Sequence, residues 1–117
     1  MDASLLRLLS DKLYDKRKAA ALELEKVIAR DAALADEGER ARRLESILGQ
    51  LRDLTLSSNV NAKHGGLMGL AGASLALPEH ARSRYLFVIV PLVIVTFGDQ
   101  DKQTRYYAAE SMYNIVR

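Results

Sequence analysis

Few residues in this sequence have side chains and spacings that could support catalysis or bind a metal. His64 and His80 are the only histidines, and neither has a set of further ligands three or four residues away along a helix. The chain contains no cysteine, which excludes disulfides, thiolate metal sites and a cysteine nucleophile. No candidate nucleophile lies beside a base and a residue that would orient that base. We therefore expect no enzyme activity and no catalytic, cofactor-binding or metal-binding residues.

The charge pattern does not favour a nucleic acid or a membrane as the direct partner. The 17 basic and 15 acidic residues leave a formal charge of +2, which is too small for a basic binding face. The longest apolar run, residues 85–97, is shorter than the roughly 20 residues of a membrane span. The N-terminus lacks the features of a signal peptide, so we expect a cytosolic protein. Basic residues that could contact anionic lipid alternate with acidic ones, which favours a solvated helix face; they are Lys12, Lys16, Arg17, Lys18, Arg40, Arg42 and Arg43.

The elements that must position any binding surface are helices. Side chains that can accept hydrogen bonds from first-turn amides precede several apolar stretches, and glycine or proline follows them. The candidate N-cap residues are Asp11, Asp36, Ser58 or Asn59, and Asp99 or Asp101. These signals predict six helices, at about residues 3–9, 12–31, 37–55, 59–77, 82–97 and 100–116.

An internal repeat emerges when Arg17, Lys63 and Arg105 are aligned. They are 46 and 42 residues apart, within the range of roughly 40 to 47 residues that is typical of HEAT and armadillo arrays. Small or apolar residues follow each of them at offsets of three, seven and ten, which trace one helix face. These predicted core positions are Ala20, Leu24, Val27, Gly66, Leu70, Ala73, Ala108, Met112 and Ile115.

The predicted fold class is therefore all-α, a HEAT- or armadillo-like α-solenoid of about two and a half stacked antiparallel hairpins. We expect a single domain, residues 1–117, with repeats at about 3–31, 37–77 and 82–117. An ordinary amphipathic bundle remains the alternative. Arg17, Lys63 and Arg105 could each pair with an acidic or carbonyl group between repeats, as Asp101 could do for Arg105.

A column of residues opposite the predicted core face is the candidate partner-binding surface, because second helices commonly line the concave side of such arrays. On the last helix it includes Tyr106 and Tyr113, which suit partner anchoring, and Arg117. A solvated face is the alternative, and the tyrosines could instead pack under a following repeat. The predicted partner-binding residues are Lys18, Leu22, His64, Met68, Tyr106, Glu110 and Tyr113.

Four glycines crowd the fourth helix, although each costs about 1 kcal/mol relative to alanine in a helix interior. They are Gly65, Gly66, Gly69 and Gly72. Close packing of neighbouring helices is the favoured explanation, and close approach of a partner backbone is the other. They do not form a phosphate-binding loop, since no strand precedes them and no Gly-Lys-Ser/Thr follows.

Several segments resemble the N-terminus of the Vac-fourteen family, in the same order and over nearly the whole chain. They read LYDKRKAAALELEK at residues 13–26, GGLMGLA at 65–71, GDQD at 98–101 and RYYAAESMYNIV at 105–116. The last segment is specific to that family rather than generic to HEAT sequences.

The resemblance implies a non-catalytic HEAT-repeat scaffold of the vacuolar and endosomal complex that makes and turns over phosphatidylinositol 3,5-bisphosphate. Such a scaffold holds a FYVE-type lipid kinase, PIKfyve in animals, and a Sac-type phosphatase. Since family members are much longer, we expect this chain to correspond to the N-terminal, kinase-associated repeats, with indirect membrane association. We also expect weak self-association of such a fragment. A generic HEAT or armadillo adaptor in trafficking is the alternative function.

Overall fold

The computed structural model describes residues 1–116, and that range contains six α-helices and no strand. The helices are α1 (Ala3–Leu9), α2 (Tyr14–Ala32), α3 (Glu37–Thr55), α4 (Val60–Ala76), α5 (Glu79–Thr96) and α6 (Lys102–Val116). All six predicted segments are thus helical. None of these helices combines the length and apolar composition that a membrane span requires.

Short polar side chains begin most of these helices. The Asp36 carboxylate accepts a hydrogen bond from the Glu39 amide at 2.7 Å, and the Asn59 side chain accepts one from the Ala62 amide at 3.0 Å. Asp11 does not cap α2 as predicted, because its carboxylate accepts from the Leu13 amide and α2 starts only at Tyr14. Residues with these side chains satisfy amides that the first turn of a helix leaves free.

Helix α5 begins three residues earlier than predicted, at Glu79. Pro78 occupies its N-cap position in the extended conformation that is usual for an N-cap, with φ −64° and ψ 152°. Pro78 therefore both follows α4 and starts α5. Pro91 lies inside α5 on its exposed side.

The helices pair as three consecutive hairpins, α1 with α2, α3 with α4, and α5 with α6. The second helices pack side by side in one layer, in which α4 lies between α2 and α6. Helices α3 and α5 pack against each other in the second layer. This is the architecture of a HEAT-like α-solenoid, so the predicted fold class is confirmed.

The core runs through both layers without interruption. Among the predicted core positions, Val27 and Met112 are only half-buried and pack at its edge. The other predicted positions are buried: Ala20, Leu24, Gly66, Leu70, Ala73, Ala108 and Ile115.

Glycines in α4 allow the first and third helices to approach it closely. A Cβ atom on Gly65 would lie 1.7 Å from the Leu9 carbonyl oxygen, and one on Gly66 would lie 2.6 Å from the Thr55 amide nitrogen. Both neighbours are backbone atoms that cannot move independently of their helices. Close helix packing therefore explains these two glycines.

Candidate protein-binding groove

A groove runs along the layer of second helices, with α4 as its floor and α2 and α6 as its walls. The floor consists of Met68, Ala71, Gly72 and Leu75. The α2 wall presents Tyr14, Lys18, Leu22 and Glu25, and the α6 wall presents Tyr107, Glu110 and Asn114. Small residues at positions 71 and 72 keep the floor low between the longer side chains of the walls. We call this feature the groove.

A contact between Arg17 and Tyr107 bridges the two walls at the end where the second helices begin. The Arg17 guanidinium donates one hydrogen bond to the Tyr107 hydroxyl at 2.8 Å and another to the Asp11 carbonyl oxygen at 2.8 Å. The Tyr107 ring stacks on the His64 imidazole, with ring centroids 4.2 Å apart. One set of side chains thus ties together the first, second and third hairpins.

His64 lies under α6, where its Nε2 atom faces two oxygen atoms. This nitrogen is 3.2 Å from the Asp101 carboxylate and 3.1 Å from the Thr104 hydroxyl. Thr104 also donates its hydroxyl hydrogen to Asp101 at 2.8 Å, so both oxygens near Nε2 can act as acceptors. Burial lowers the pKa of the His64 imidazole below its usual value of 6.5. His64 is therefore a neutral hydrogen-bond donor at neutral pH.

The prediction that His64 belongs to an exposed partner-binding column is wrong. Its exposed fraction is 2%, because Tyr107 and Thr104 of α6 cover it. The equivalent residue of the first hairpin, Lys18, is exposed, so burial at this position depends on the particular residues of the neighbouring helix.

The polar contacts between the second and third hairpins agree with the predicted ladder at Lys63 but not at Arg105. Lys63 forms an ion pair with Asp99, and its ammonium group lowers the pKa of the Asp99 carboxyl. Arg105 does not pair with Asp101, so that prediction is wrong. Its guanidinium donates to the carbonyl oxygens of Asp99 and Gln100, at 2.7 and 3.1 Å, in the loop before its own helix.

Asp101 is unavailable to Arg105 because it caps α6. Its carboxylate accepts hydrogen bonds from the amide and the hydroxyl of Thr104, each at 2.8 Å, and these bonds lower the pKa of the Asp101 carboxyl. Asp101 also accepts from His64, so it joins the second hairpin to the third.

The remaining predicted partner-binding residues fall into two groups. Lys18, Leu22, Met68 and Glu110 line the groove together. Tyr106 and Tyr113 are each 65% exposed and lie on α6 outside the groove. Arg117, predicted for the same face, lies outside the described residues.

Tyr107 is a groove residue that the repeat alignment does not predict. Its equivalents in the first two hairpins are Ala19 and Gly65, which give no signal for an aromatic contact. Tyr14 and Asn114 were also missed, because they lie near opposite ends of the sequence and line one groove only through the stacking of α2 and α6 on α4. The sequence gives no direct indication that two such distant residues share a groove.

The basic cluster on α3 is paired with carboxylate and carbonyl groups. Arg43 donates to Glu39 at 2.8 Å and Arg42 also pairs with it, and these bonds lower the pKa of the Glu39 carboxyl. Arg40 donates to the Leu34 carbonyl oxygen at 2.8 Å. Within residues 1–116 no group of side chains has the arrangement of a metal site.

Stacked helical hairpins with a groove along their second helices define a helical-repeat protein whose candidate site is a binding surface. The chain belongs to the Vac-fourteen (VAC14) family. A family model described as "Vacuolar 14 Fab1-binding region" matches residues 61–117, which include the groove floor and the α6 wall. That description is of a binding region, not of a catalytic domain.

Three curated relatives match the whole chain or nearly all of it. "Vacuole morphology and inheritance protein 14" of Saccharomyces cerevisiae is 44% identical over 119 residues, covering 100% of this chain and 13% of the relative. The VAC14 homologues of Arabidopsis thaliana and Schizosaccharomyces pombe are 42% and 44% identical, over 98% of this chain and 15% and 14% of their own lengths. The chain therefore spans about one seventh of these relatives. No solved structure matches it.

Proposed function

We propose that this chain is a scaffold segment that docks a Fab1-type lipid kinase, PIKfyve in animals, in the groove. The observation that carries the proposal is that one groove is lined by Lys18, Leu22, Met68 and Glu110 together. The floor and the two walls of this groove come from three different hairpins. The match to the Fab1-binding region supports the choice of partner, since it covers α4 and α6.

The groove has the composition of a protein-binding surface. Leu22 and Met68 offer apolar contact at its centre, while Lys18 and Glu110 stand on its walls. An apolar centre with a polar rim is the usual anatomy of a protein interface. The inter-hairpin contacts of His64 and Arg17 hold the walls in place, so little ordering is needed on binding.

The mechanism is rigid presentation. Holding the kinase and an antagonistic Sac-type phosphatase on one scaffold would raise their effective concentration near each other and so coordinate synthesis and turnover of phosphatidylinositol 3,5-bisphosphate. The phosphatase would contact parts of the family's longer chains beyond the segment matched here. We place the chain on the cytoplasmic side of vacuolar or endosomal membranes, held there indirectly through the complex.

Substitution of Leu22 tests this proposal, with Leu56 as the matched control. Their exposed fractions are 50% and 54%, but Leu56 lies at the end of α3, outside the groove. Leu22→Asp should weaken binding of the purified kinase by at least about tenfold, as loss of a central apolar contact does, whereas Leu56→Asp should leave it unchanged. Binding is measured by calorimetry, with circular dichroism to confirm that both variants fold.

Equal effects of the two substitutions would contradict docking in the groove. Failure of the unsubstituted chain to bind the kinase at all would contradict the choice of partner and would favour the generic adaptor instead.

A further inference from the structure

We infer that the segment bound in the groove is an amphipathic helix with an acidic and a basic residue about two turns apart on its apolar face. The acidic residue lies near Lys18 and Arg17, and the basic residue lies between Glu25 and Glu110. This inference rests on the proposed docking function and adds the chemistry of the bound segment.

The end of the groove near Arg17 carries a positive charge that belongs to none of the ion pairs found within residues 1–116. Arg17 is only 4% exposed, yet the acceptors of its two hydrogen bonds are a carbonyl oxygen and a phenol. Its Nε is buried without a hydrogen-bond partner. The guanidinium lies 5.9 Å from the Tyr14 ring and 5.7 Å from the Tyr107 ring, the two aromatic residues at this end of the groove. A buried charge of this kind favours an anionic ligand group nearby.

Lys18 adds a second positive charge at the same end. It is exposed on the α2 wall and takes part in none of the ion pairs found within residues 1–116. A carboxylate presented by a bound segment can therefore pair with Lys18 without displacing an existing partner.

The part of the groove beyond Lys18 carries negative charge. Glu25 on α2 and Glu110 on α6 face the floor from the two walls, and neither belongs to an ion pair found within the described chain. Lys18 and Glu25 are seven residues apart on one helix, which corresponds to about 10 Å along its axis. A segment with opposite charges separated by about the same distance would satisfy both parts of the groove.

A helix suits this groove better than an extended strand. The floor residues Met68, Ala71, Gly72 and Leu75 recur every three to four residues, the spacing into which the side-chain ridge of another helix packs. Helices packed on a common neighbour at about 8–10 Å leave a space of about one helix diameter above it. No sheet edge is available for strand addition within residues 1–116. The bound helix would place an apolar residue between its two charges, against Leu22 and Met68.

Synthetic peptides and charge-reversal variants test the inference together. The three probes are stapled helical peptides that share one apolar pattern and differ at two positions seven residues apart. The first peptide has Glu and Lys at these positions, the second has two Glu residues, and the third has two Lys residues. The unsubstituted protein should bind the Glu/Lys peptide about fivefold more tightly than either like-charged peptide, a size typical of two exposed ion pairs. Affinities are measured by fluorescence anisotropy at low and high salt.

The protein variants should switch this preference. Lys18→Glu should prefer the peptide with two Lys, and the double substitution Glu25→Lys with Glu110→Lys should prefer the peptide with two Glu. These positions are on the groove walls, and circular dichroism checks that the variants remain folded. The inference would be overturned if all three proteins bound the peptides with the same order of affinities. It would also be overturned if none of the peptides bound. Neither result affects the kinase-binding comparison of Leu22→Asp with Leu56→Asp, so the two proposals fail separately.

Discussion

His64 and Tyr107 are the residues at which the three hairpins meet. Their ring stacking, together with the Arg17 hydrogen bond, joins side chains that are up to 90 positions apart in the sequence. The repeat alignment predicted the helix faces correctly where small residues recur, as at Ala20, Gly66 and Ala108. It could not predict Tyr107, because a contact made once in the stack leaves no periodic signal.

Burial of neutral His64 should make the stability of the protein depend on pH. Because the pKa of His64 is lower in the folded chain than its usual value of 6.5, the unfolded chain binds more protons as the pH falls below that value. The free energy of unfolding should therefore be largest above pH 6.5 and should decrease as the pH falls through the lowered pKa. His64→Gln, which retains an amide donor but does not titrate, should remove this dependence.

Urea denaturation at several pH values measures the effect. Asp99 and Asp101 also have lowered pKa values, but their contributions are lost only in more acidic solution, near and below their usual value of 3.8. The same slope between pH 7.5 and 5 in the His64→Gln variant and the unsubstituted protein would contradict the role assigned to His64.

At the scale of elements, the boundaries of the helices followed from local chemistry. Asp36 and Asn59 cap α3 and α4 as predicted, because a cap depends only on residues within one turn. The starts of α2 and α5 were displaced by two and three residues, since Asp11 and Pro78 could each serve more than one local conformation. The pairing of the helices, by contrast, could be predicted only from the repeat spacing.

The glycine positions of α4 can be tested against a glycine in α3. Gly65→Ala should destabilise the fold by about 2 kcal/mol or more, because its Cβ would overlap the Leu9 carbonyl oxygen and force α1 away from α4. Gly49→Ala should stabilise it by up to about 1 kcal/mol, because the nearest atom is the end of the Arg52 side chain, 4.0 Å away. Thermal and urea denaturation report both changes. Similar stability of the two variants would contradict the close approach of α1 to α4.

At the scale of the whole molecule, the fold exposes an apolar patch on α5, which is not one of the helices that form the groove. It is formed by Leu86, Phe87, Val90 and Pro91, and Phe87 is 84% exposed. Tyr106 and Tyr113 on α6 occupy positions equivalent to His64 and Ala71 on α4, which are both buried. Exposed apolar surface at the side of a stack favours contact with further helices.

We expect this patch to drive weak association of the isolated chain. Phe87→Ser should shift sedimentation velocity toward the monomer at high protein concentration, whereas Leu13→Ser, at an exposed leucine outside the patch, should not. Identical concentration dependence in Phe87→Ser and in the unsubstituted chain would exclude the patch as the contact.

The sequence predicted the solenoid but only part of its binding groove. Helix periodicity and the spacing of Arg17, Lys63 and Arg105 are properties of every repeat, so a single sequence reveals them. The groove depends instead on how α2 and α6 sit across α4, which brings Tyr14 and Asn114 to one site. That arrangement follows from packing and not from any local pattern.

The most direct test of docking in the groove is photo-crosslinking to the kinase from its two walls. A photoreactive residue at position 22 of α2 or 110 of α6 should crosslink to one and the same kinase segment, identified by mass spectrometry, whereas position 56 should give no crosslink. Crosslinks from position 56 alone, or from positions 22 and 110 to unrelated parts of the kinase, would contradict binding of a kinase segment in the groove.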